Sequence, residues 1–162
     1  MKIESVVINA SLLIVLFKSG MGDLLPQLFR EIYIPEAVWQ EIIAGGAQDT
    51  AAQNLSSATW AQRVTVSVTN PIITAWNLGA GESEVLSYAL ENPGYRAMVD
   101  DAAARACAKT LNIPTLGTGG AIVLAKNRNL IDSVTQALEA LQNSGLWLSE
   151  NIIRLLKQQA DE

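Results

Sequence analysis

Short apolar runs alternate with longer amphipathic stretches along this chain, a pattern that predicts strands alternating with helices. The predicted strands are residues 6–8, 31–35, 64–68, 95–101 and a short run that ends at a glycine-rich turn, 117–120. The predicted helices are residues 12–18, 24–29, 36–44, 50–62, 82–91, 102–111 and 121–128, followed by two between 133 and 159. The alternation indicates βαβ units, and therefore an α/β fold with three α/β/α layers and a mostly parallel central sheet.

The length of 162 residues suits one domain, and neither a linker nor a repeat divides the chain. We therefore expect a single domain over residues 1–162, with the C-terminal helices beginning near residue 133. The apolar run near the start is too short to span a membrane, and Glu4 and Asn9 interrupt it. With one cysteine, Cys107, no internal disulfide can form, so a soluble cytoplasmic protein is expected.

The absence of histidine limits the chemistry that this chain can perform. Serine–histidine and cysteine–histidine nucleophilic catalysis are excluded, and so are histidine metal ligands. The formal charge of −5 argues against a bulk nucleic-acid binder. It leaves open an enzyme that cuts nucleic acid at a locally acidic site loaded with metal.

Polar residues stand where two of the predicted strands end. Asn9 ends the first strand, and Asp100 with Asp101 ends a later one. Open parallel sheets bind ligands outside the carboxyl ends of their strands, so these residues should converge on one edge. The amide of Asn9 interrupts an otherwise apolar segment, and a buried amide at a strand end must find partners.

Acidic residues at four places could complete a site at this edge. A site without histidine can act on phosphate esters by using clustered carboxylates to hold one or two Mg²⁺ or Mn²⁺ ions. The candidates are Asn9 with Ser11, Glu41, Glu82 with Glu84, and Asp100 with Asp101. Structural roles remain open for each acid, because Glu41 could be a solvated charge, Glu82 could complement a helix dipole, and the aspartates could cap a helix.

Four segments together resemble a PIN domain: VVINASLLIVL, IPEAVWQEI, GAGESEVLSYAL and MVDDAAARACAKTLNIPTLGTGGAIVLAK. The resemblance covers roughly residues 5–150. Within the family, the segments most resemble a prokaryotic PIN-like group of unknown function that is related to VapC-type toxins. It implies a compact α/β/α fold and a divalent-metal ribonuclease site. Carried over by residue, it implies a metal site of Asn9, Glu41, Glu82, Asp100 and Asp101, of which Glu41, Glu82 and Asp101 are catalytic, and supporting hydroxyls on Ser11 and Thr118. Asp101 fits the spacing to Arg105 better than Asp100, and Glu84 is expected to be a surface charge.

Asn9 departs from the family pattern, which has aspartate at this position. An amide oxygen can bind Mg²⁺, but it is neutral, a poorer ligand than carboxylate, and no base. The first hypothesis is a Mg²⁺- or Mn²⁺-dependent endoribonuclease, the toxin of a toxin–antitoxin pair, which hydrolyses RNA by a metal-activated water. The alternative is a catalytically weakened PIN-like module that binds RNA or a partner protein. A flavodoxin-like nucleotide-binding or phosphate-transfer domain also suits the alternation, but the chain lacks a phosphate-loop fingerprint.

The remaining expectations concern partners. The amides of Gly119 and Gly120, with Lys126 and Arg128, are candidate RNA phosphate contacts; a tight turn and a solvated helix end are the structural alternatives. The resemblance implies an RNA substrate and a small antitoxin protein. We also expect a homodimer or higher homo-oligomer, with residues 50–62 and 70–78 forming part of a partner groove and no membrane partner.

Overall fold

A sheet of five parallel strands organises residues 5–162, the part of the chain that the computed structural model describes. Residues 1–4 of the predicted domain lie outside it. The strands are β1 (Ser5–Ile8), β2 (Glu31–Pro35), β3 (Ala61–Val64), β4 (Arg96–Met98) and β5 (Thr115–Leu116). The helices are α1 (Ala10–Lys18), α2 (Leu24–Leu28), α3 (Glu36–Ile43), α4 (Thr50–Ser57), α5 (Pro71–Thr74), α6 (Ala80–Glu91), α7 (Ala102–Thr110), α8 (Thr118–Asn127), α9 (Val134–Asn143) and α10 (Glu150–Gln159).

The strand order β3-β2-β1-β4-β5 puts β1 in the middle of the sheet. Val6 is level with Ile32 of β2 and with Arg96 of β4, and every pair of neighbouring strands is parallel. Helices flank the sheet, which confirms the predicted three-layer α/β/α class. Because the chain builds β2 and β3 on one side of β1 and then β4 on the other, the strand order reverses between β1 and β4. A ligand crevice is expected at this point in folds of this kind.

Burial explains why the first strand is uniformly apolar. Val6, Val7 and Ile8 are fully buried because β1 has a strand on each side and helices over both faces. The helix that follows, α1, also turns most of its apolar side chains into the core. The last helix, α10, is different, since Leu156 is its one buried residue and its other apolar side chains remain partly or largely exposed.

The strand predicted at residues 64–68 is wrong. The third strand is β3, Ala61–Val64, and the helix predicted to reach residue 62 is α4, which ends at Ser57. The register gives the reason: Val64 is level with Pro35, and after Pro35 the neighbouring chain turns into α3. Residues beyond Val64 therefore have no strand to pair with, and Val68 is 68% exposed despite its alternating pattern.

The predicted glycine-rich turn is also wrong, because Thr118–Gly120 form the first turn of α8. A Cβ at Gly119 would lie 2.6 Å from Leu156 Cδ1, so the missing side chain lets α10 pack against the start of α8. The predicted loop at 70–78 contains the short helix α5, which the side chain of Asn70 caps by accepting a hydrogen bond from the Ile72 N–H. None of the helices within residues 5–162 is both long and apolar enough to cross a bilayer.

Candidate metal centre

Asn9 lies at the carboxyl end of β1, beside β4 in the crevice where the strand order reverses. Its backbone N–H donates to the Met98 carbonyl at 3.1 Å, which joins the ends of the two strands. The residue is 5% exposed and occupies the cap position of α1, yet its side chain makes no capping hydrogen bond. The carboxamide is therefore not used to begin the helix and is held at the strand end for another purpose.

Gly81 brings α6 close to this amide. A Cβ at Gly81 would lie 3.2 Å from Asn9 Oδ1, 3.2 Å from Val38 Cγ2 and 3.8 Å from Glu41 Oε1. The side-chain oxygens of Asn9 and Glu41 thus lie around the same point, the first turn of α6. A larger residue at Gly81 would push α6 away from both of them.

Glu82, the next residue, has a carboxyl group whose pKa is clearly shifted. Burial raises the pKa of its carboxyl group, and the charges of Asp101 and Glu41 raise that pKa further. The carboxylates of Glu41 and Asp101 therefore lie close enough to Glu82 to repel its charge. Asn9 and Glu41 thus meet at the first turn of α6, and the charges of Glu41 and Asp101 act on Glu82; we call these four residues the acidic edge.

The two aspartates after β4 have different surroundings. Asp101 Oδ2 accepts the Ala104 N–H at 3.0 Å and so caps α7, while its charge acts on Glu82. Asp100 is held by Thr118, whose backbone N–H and hydroxyl donate to the two carboxylate oxygens at 2.9 and 2.6 Å. Thr118 is fully buried, and its predicted hydroxyl is thus a support for Asp100. The exposed Ser11 lies in the first turn of α1, near the strand end.

The donor chemistry of this edge fits Mg²⁺ or Mn²⁺, because every candidate ligand atom is an oxygen. Among residues 5–162, however, no group of three acidic, histidine or cysteine side chains could hold a metal ion. Mg²⁺ commonly uses one or two carboxylates and keeps several waters. Asn9 Oδ1 with two of the carboxylates is a donor set of the kind that such an ion uses, and a closely packed set of three acids is absent from residues 5–162.

A family model described as DUF3368: PIN domain matches residues 5–162. The chain belongs to the PIN domain family. The match spans both the strand-end asparagine and the acids of α3, α6 and the β4 end, and it covers the C-terminal helices as well. A comparison with curated proteins gave no match. The PIN domain family suggests a nuclease-type fold.

Glu84 has a structural role in this PIN domain, so its interpretation as a surface charge is wrong. Its Oε1 accepts the backbone N–H of Ala37 at 3.1 Å, in the first turn of α3. A carboxylate is stabilised there by the free N–H groups and by the helix dipole. The contact ties α6, which carries Glu82, to α3, which carries Glu41. No local pattern could have revealed it, since 47 residues separate the two partners.

Two of the four predicted phosphate contacts, Lys126 and Arg128, are engaged in contacts within the fold. Lys126 Nζ donates to the Asp132 carbonyl and lies 3.4 Å from a Glu162 carboxylate oxygen. Arg128 Nη1 donates to the Leu28 carbonyl at 2.6 Å. Gly119 and Gly120 face Leu156 and Leu116, respectively, and the Thr118 N–H beside them is taken by Asp100. These contacts favour a structural role for Lys126 and Arg128, and the two glycines lie in the first turn of α8 and not in a tight turn.

Proposed function

We propose that this PIN domain is a Mg²⁺- or Mn²⁺-dependent endoribonuclease. The observation that carries the proposal is the raised pKa of Glu82, to which the nearby charges of Asp101 and Glu41 contribute. The side chain of Asn9 lies beside Glu41 at the same turn of α6. Carboxylates that repel one another at a ligand crevice destabilise the fold unless a cation neutralises them. Membership of a nuclease-type family supports the same conclusion.

Each residue of the site has a distinct task in this proposal. Asn9 Oδ1 offers a neutral oxygen ligand, and Glu41, Glu82 and Asp101 offer the negative charge that attracts the cation. When bound, the cation supplies an activated water and positive charge to stabilise the phosphodiester as it reacts. Glu82 would gain most from the cation, because the positive charge would offset the burial and repulsion that raise its pKa.

The biological setting we propose is that of a toxin restrained by a small antitoxin protein, as the resemblance to VapC-type toxins implies. Exposed apolar side chains support a protein partner near the segment predicted to contribute to a groove. Val68, Ile72 and Trp76 are 68%, 55% and 37% exposed, respectively. A homodimer or higher homo-oligomer in the cytoplasm is part of the same proposal.

A second candidate function is a catalytically weakened PIN module that binds RNA or a partner without cutting. Two observations favour it: Asn9 supplies no charge, and residues 5–162 contain no group of three acids that could hold a metal. The two functions differ in metal affinity, which is therefore the property to measure first.

The test is calorimetric titration of Mn²⁺ into the wild type and into Asp101→Asn, followed by incubation with structured and single-stranded RNA. Asparagine caps helices about as well as aspartate, so α7 should keep its cap while the site loses a charge. Asp49→Asn is the matched control, because Asp49 caps α4 through the Ala52 N–H at 3.1 Å in the same way.

The endoribonuclease proposal expects Mn²⁺ binding in the wild type and in Asp49→Asn, a loss of about 100-fold or more in Asp101→Asn, and RNA cleavage that follows metal binding. Absence of binding at millimolar Mn²⁺ would overturn it in favour of the weakened module. Binding that is equal in Asp101→Asn and the wild type would remove Asp101 from the site.

A further inference from the structure

We propose that a groove between α7, the start of α8 and α10 binds the nucleotides of single-stranded RNA next to the bond that is cut. The inference rests on the proposed ribonuclease function and names the surface that holds its substrate. The groove comprises two adjoining cavities of about 270 and 440 Å³, and both have Arg105 and Thr115 in their walls. Gly119 and Gly120, two of the predicted phosphate contacts, line the smaller cavity, whereas Lys126 and Arg128 line neither cavity.

The groove begins at the acidic edge. Asp100 lines the smaller cavity, and α7, which forms one wall, starts directly after Asp101. Arg105 reaches over the turn between β5 and α8: its Nη1 and Asp100 Oδ1 would each lie 2.9 Å from a Cβ at Gly117. A strand of RNA held in the groove would therefore lead directly to the candidate metal centre.

The wall of the groove that α7 forms is positively charged, whereas the chain as a whole has a net charge of −5. Arg105 and Lys109 are four residues apart on α7, so their side chains project from the same side of the helix and their Cβ atoms are about 5–6 Å apart. Both side chains are exposed. The ion pairs within residues 5–162 are Arg63–Glu36 and Lys126–Glu162, so neither of these two cations forms a salt bridge in the described chain, although Asp100 lies near the Arg105 guanidinium beside Gly117. No acidic residue lies within α7. In a chain of charge −5, two such cations beside the site suit phosphate groups.

The facing wall is apolar and comes from α10. Ile152 and Leu155 line the smaller cavity and are 44% and 48% exposed, respectively. Apolar side chains of this kind can contact the faces of unstacked bases, and the Gln159 amide beside them can exchange hydrogen bonds with base edges. A single strand of RNA requires cations for its phosphates and apolar side chains for its bases, and the two walls of the groove offer these. A docked amphipathic helix would instead require a groove that is apolar along its whole length.

The experiment measures binding of a fluorescein-labelled single-stranded RNA of mixed sequence by anisotropy, in EDTA, over a series of salt concentrations. The variants are Arg105→Gln, Lys109→Gln and Leu155→Gln, whose side chains are exposed. Arg30→Gln is the matched control, because Arg30 is an exposed arginine directly before β2, at the opposite edge of the sheet from Asn9.

The two cation variants should each weaken binding about 3- to 10-fold and lower the slope of log affinity against log salt by about 0.7, the value for one phosphate contact on a single strand. Leu155→Gln should weaken binding without changing the slope, and Arg30→Gln should change neither. Mn²⁺ affinity in Lys109→Gln should equal that of the wild type.

RNA binding that is unchanged in Arg105→Gln and Lys109→Gln would overturn the inference even if the wild type cuts RNA. An effect of Leu155→Gln on oligomeric state alone would likewise overturn it and assign the groove to a protein partner. If the variants behave as expected but the wild type neither binds Mn²⁺ nor cuts RNA, the groove stands and only the proposed ribonuclease function fails.

Discussion

Carboxylates serve opposite purposes in two regions of this protein. At the start of α9, the Glu162 carboxylate accepts hydrogen bonds from the Val134 N–H and from the N–H and hydroxyl of Thr135 and pairs with Lys126. These donors lower the pKa of Glu162 to about 2. At the acidic edge, burial and the charges of Asp101 and Glu41 raise the pKa of Glu82.

The difference separates a structural charge from a functional one. Folding stabilises the charge of Glu162 with donors from its own chain, so this region requires nothing further. Folding destabilises the charge of Glu82, and the chain offers it no cation within the described residues. Charges that folding destabilises cluster at functional sites, which is the physical basis for the metal centre that we propose at the acidic edge and not at the α9 contact.

The largest effect on Mn²⁺ affinity is expected from Glu82→Gln. We expect a loss of about 100-fold or more by calorimetry, together with a higher Tm in EDTA, because the repulsion disappears. Since the folded-state pKa of Glu82 is raised, the wild type gains stability on protonation, and the Tm difference should vanish as the pH falls below the ordinary value of 4.5. A lower Tm in EDTA at neutral pH would contradict the interpretation of Glu82 as a destabilised charge.

A smaller effect is expected from Asn9→Asp, in the opposite direction. The variant adds a fourth carboxylate, so Mn²⁺ affinity should rise about tenfold and the Tm in EDTA should fall by a few degrees. Asn151→Asp is the control, because it adds the same charge at an exposed position in α10. Weaker Mn²⁺ binding in Asn9→Asp would show that the amide is not a substitute for a carboxylate ligand.

A smaller loss is expected when the link between α6 and α3 is removed. Glu84→Ala takes away the acceptor of the Ala37 N–H and should lower Mn²⁺ affinity about 3- to 10-fold by loosening Glu82 relative to Glu41. Glu84→Gln keeps an acceptor oxygen and should restore most of the affinity. Equal affinities in both variants and the wild type would mean that the contact supports the fold alone.

The smallest effect on Mn²⁺ affinity, none within error, is expected from Glu162→Gln. Its Tm at pH 7 should fall by about 2–4 °C because the ion pair and the charged hydrogen bonds are lost. The pKa of Glu162 is lowered, so its contribution is complete above 4.5 and disappears as the pH falls toward about 2; thermal melts across this range should converge. A change in Mn²⁺ affinity would mean that the two regions are coupled.

Sequence pattern predicted the parts of the site that depend on strand ends. Asn9 and Asp101 follow buried strands, so a parallel sheet was enough to bring them to one edge. The pattern did not distinguish the surroundings of Asp100 from those of Asp101, because the Thr118 that binds Asp100 lies 18 residues away. It also named Lys126 and Arg128 as candidate RNA contacts, although Glu162 and the Leu28 carbonyl, both distant in sequence, contact them.

The sequence by itself determined the α/β alternation, the apolar central strand, the family and the acids that could meet, because these follow from local periodicity and residue type. Only the tertiary structure decided which charges are neutralised. It gave Glu162 its donors, tied Glu84 to α3, left Arg105 and Lys109 without a salt bridge among the described residues, and faced Glu82 with two further carboxylates. The physical reason is that the energy of a charge depends on the groups folding brings within a few ångströms, and those groups come from distant parts of the chain.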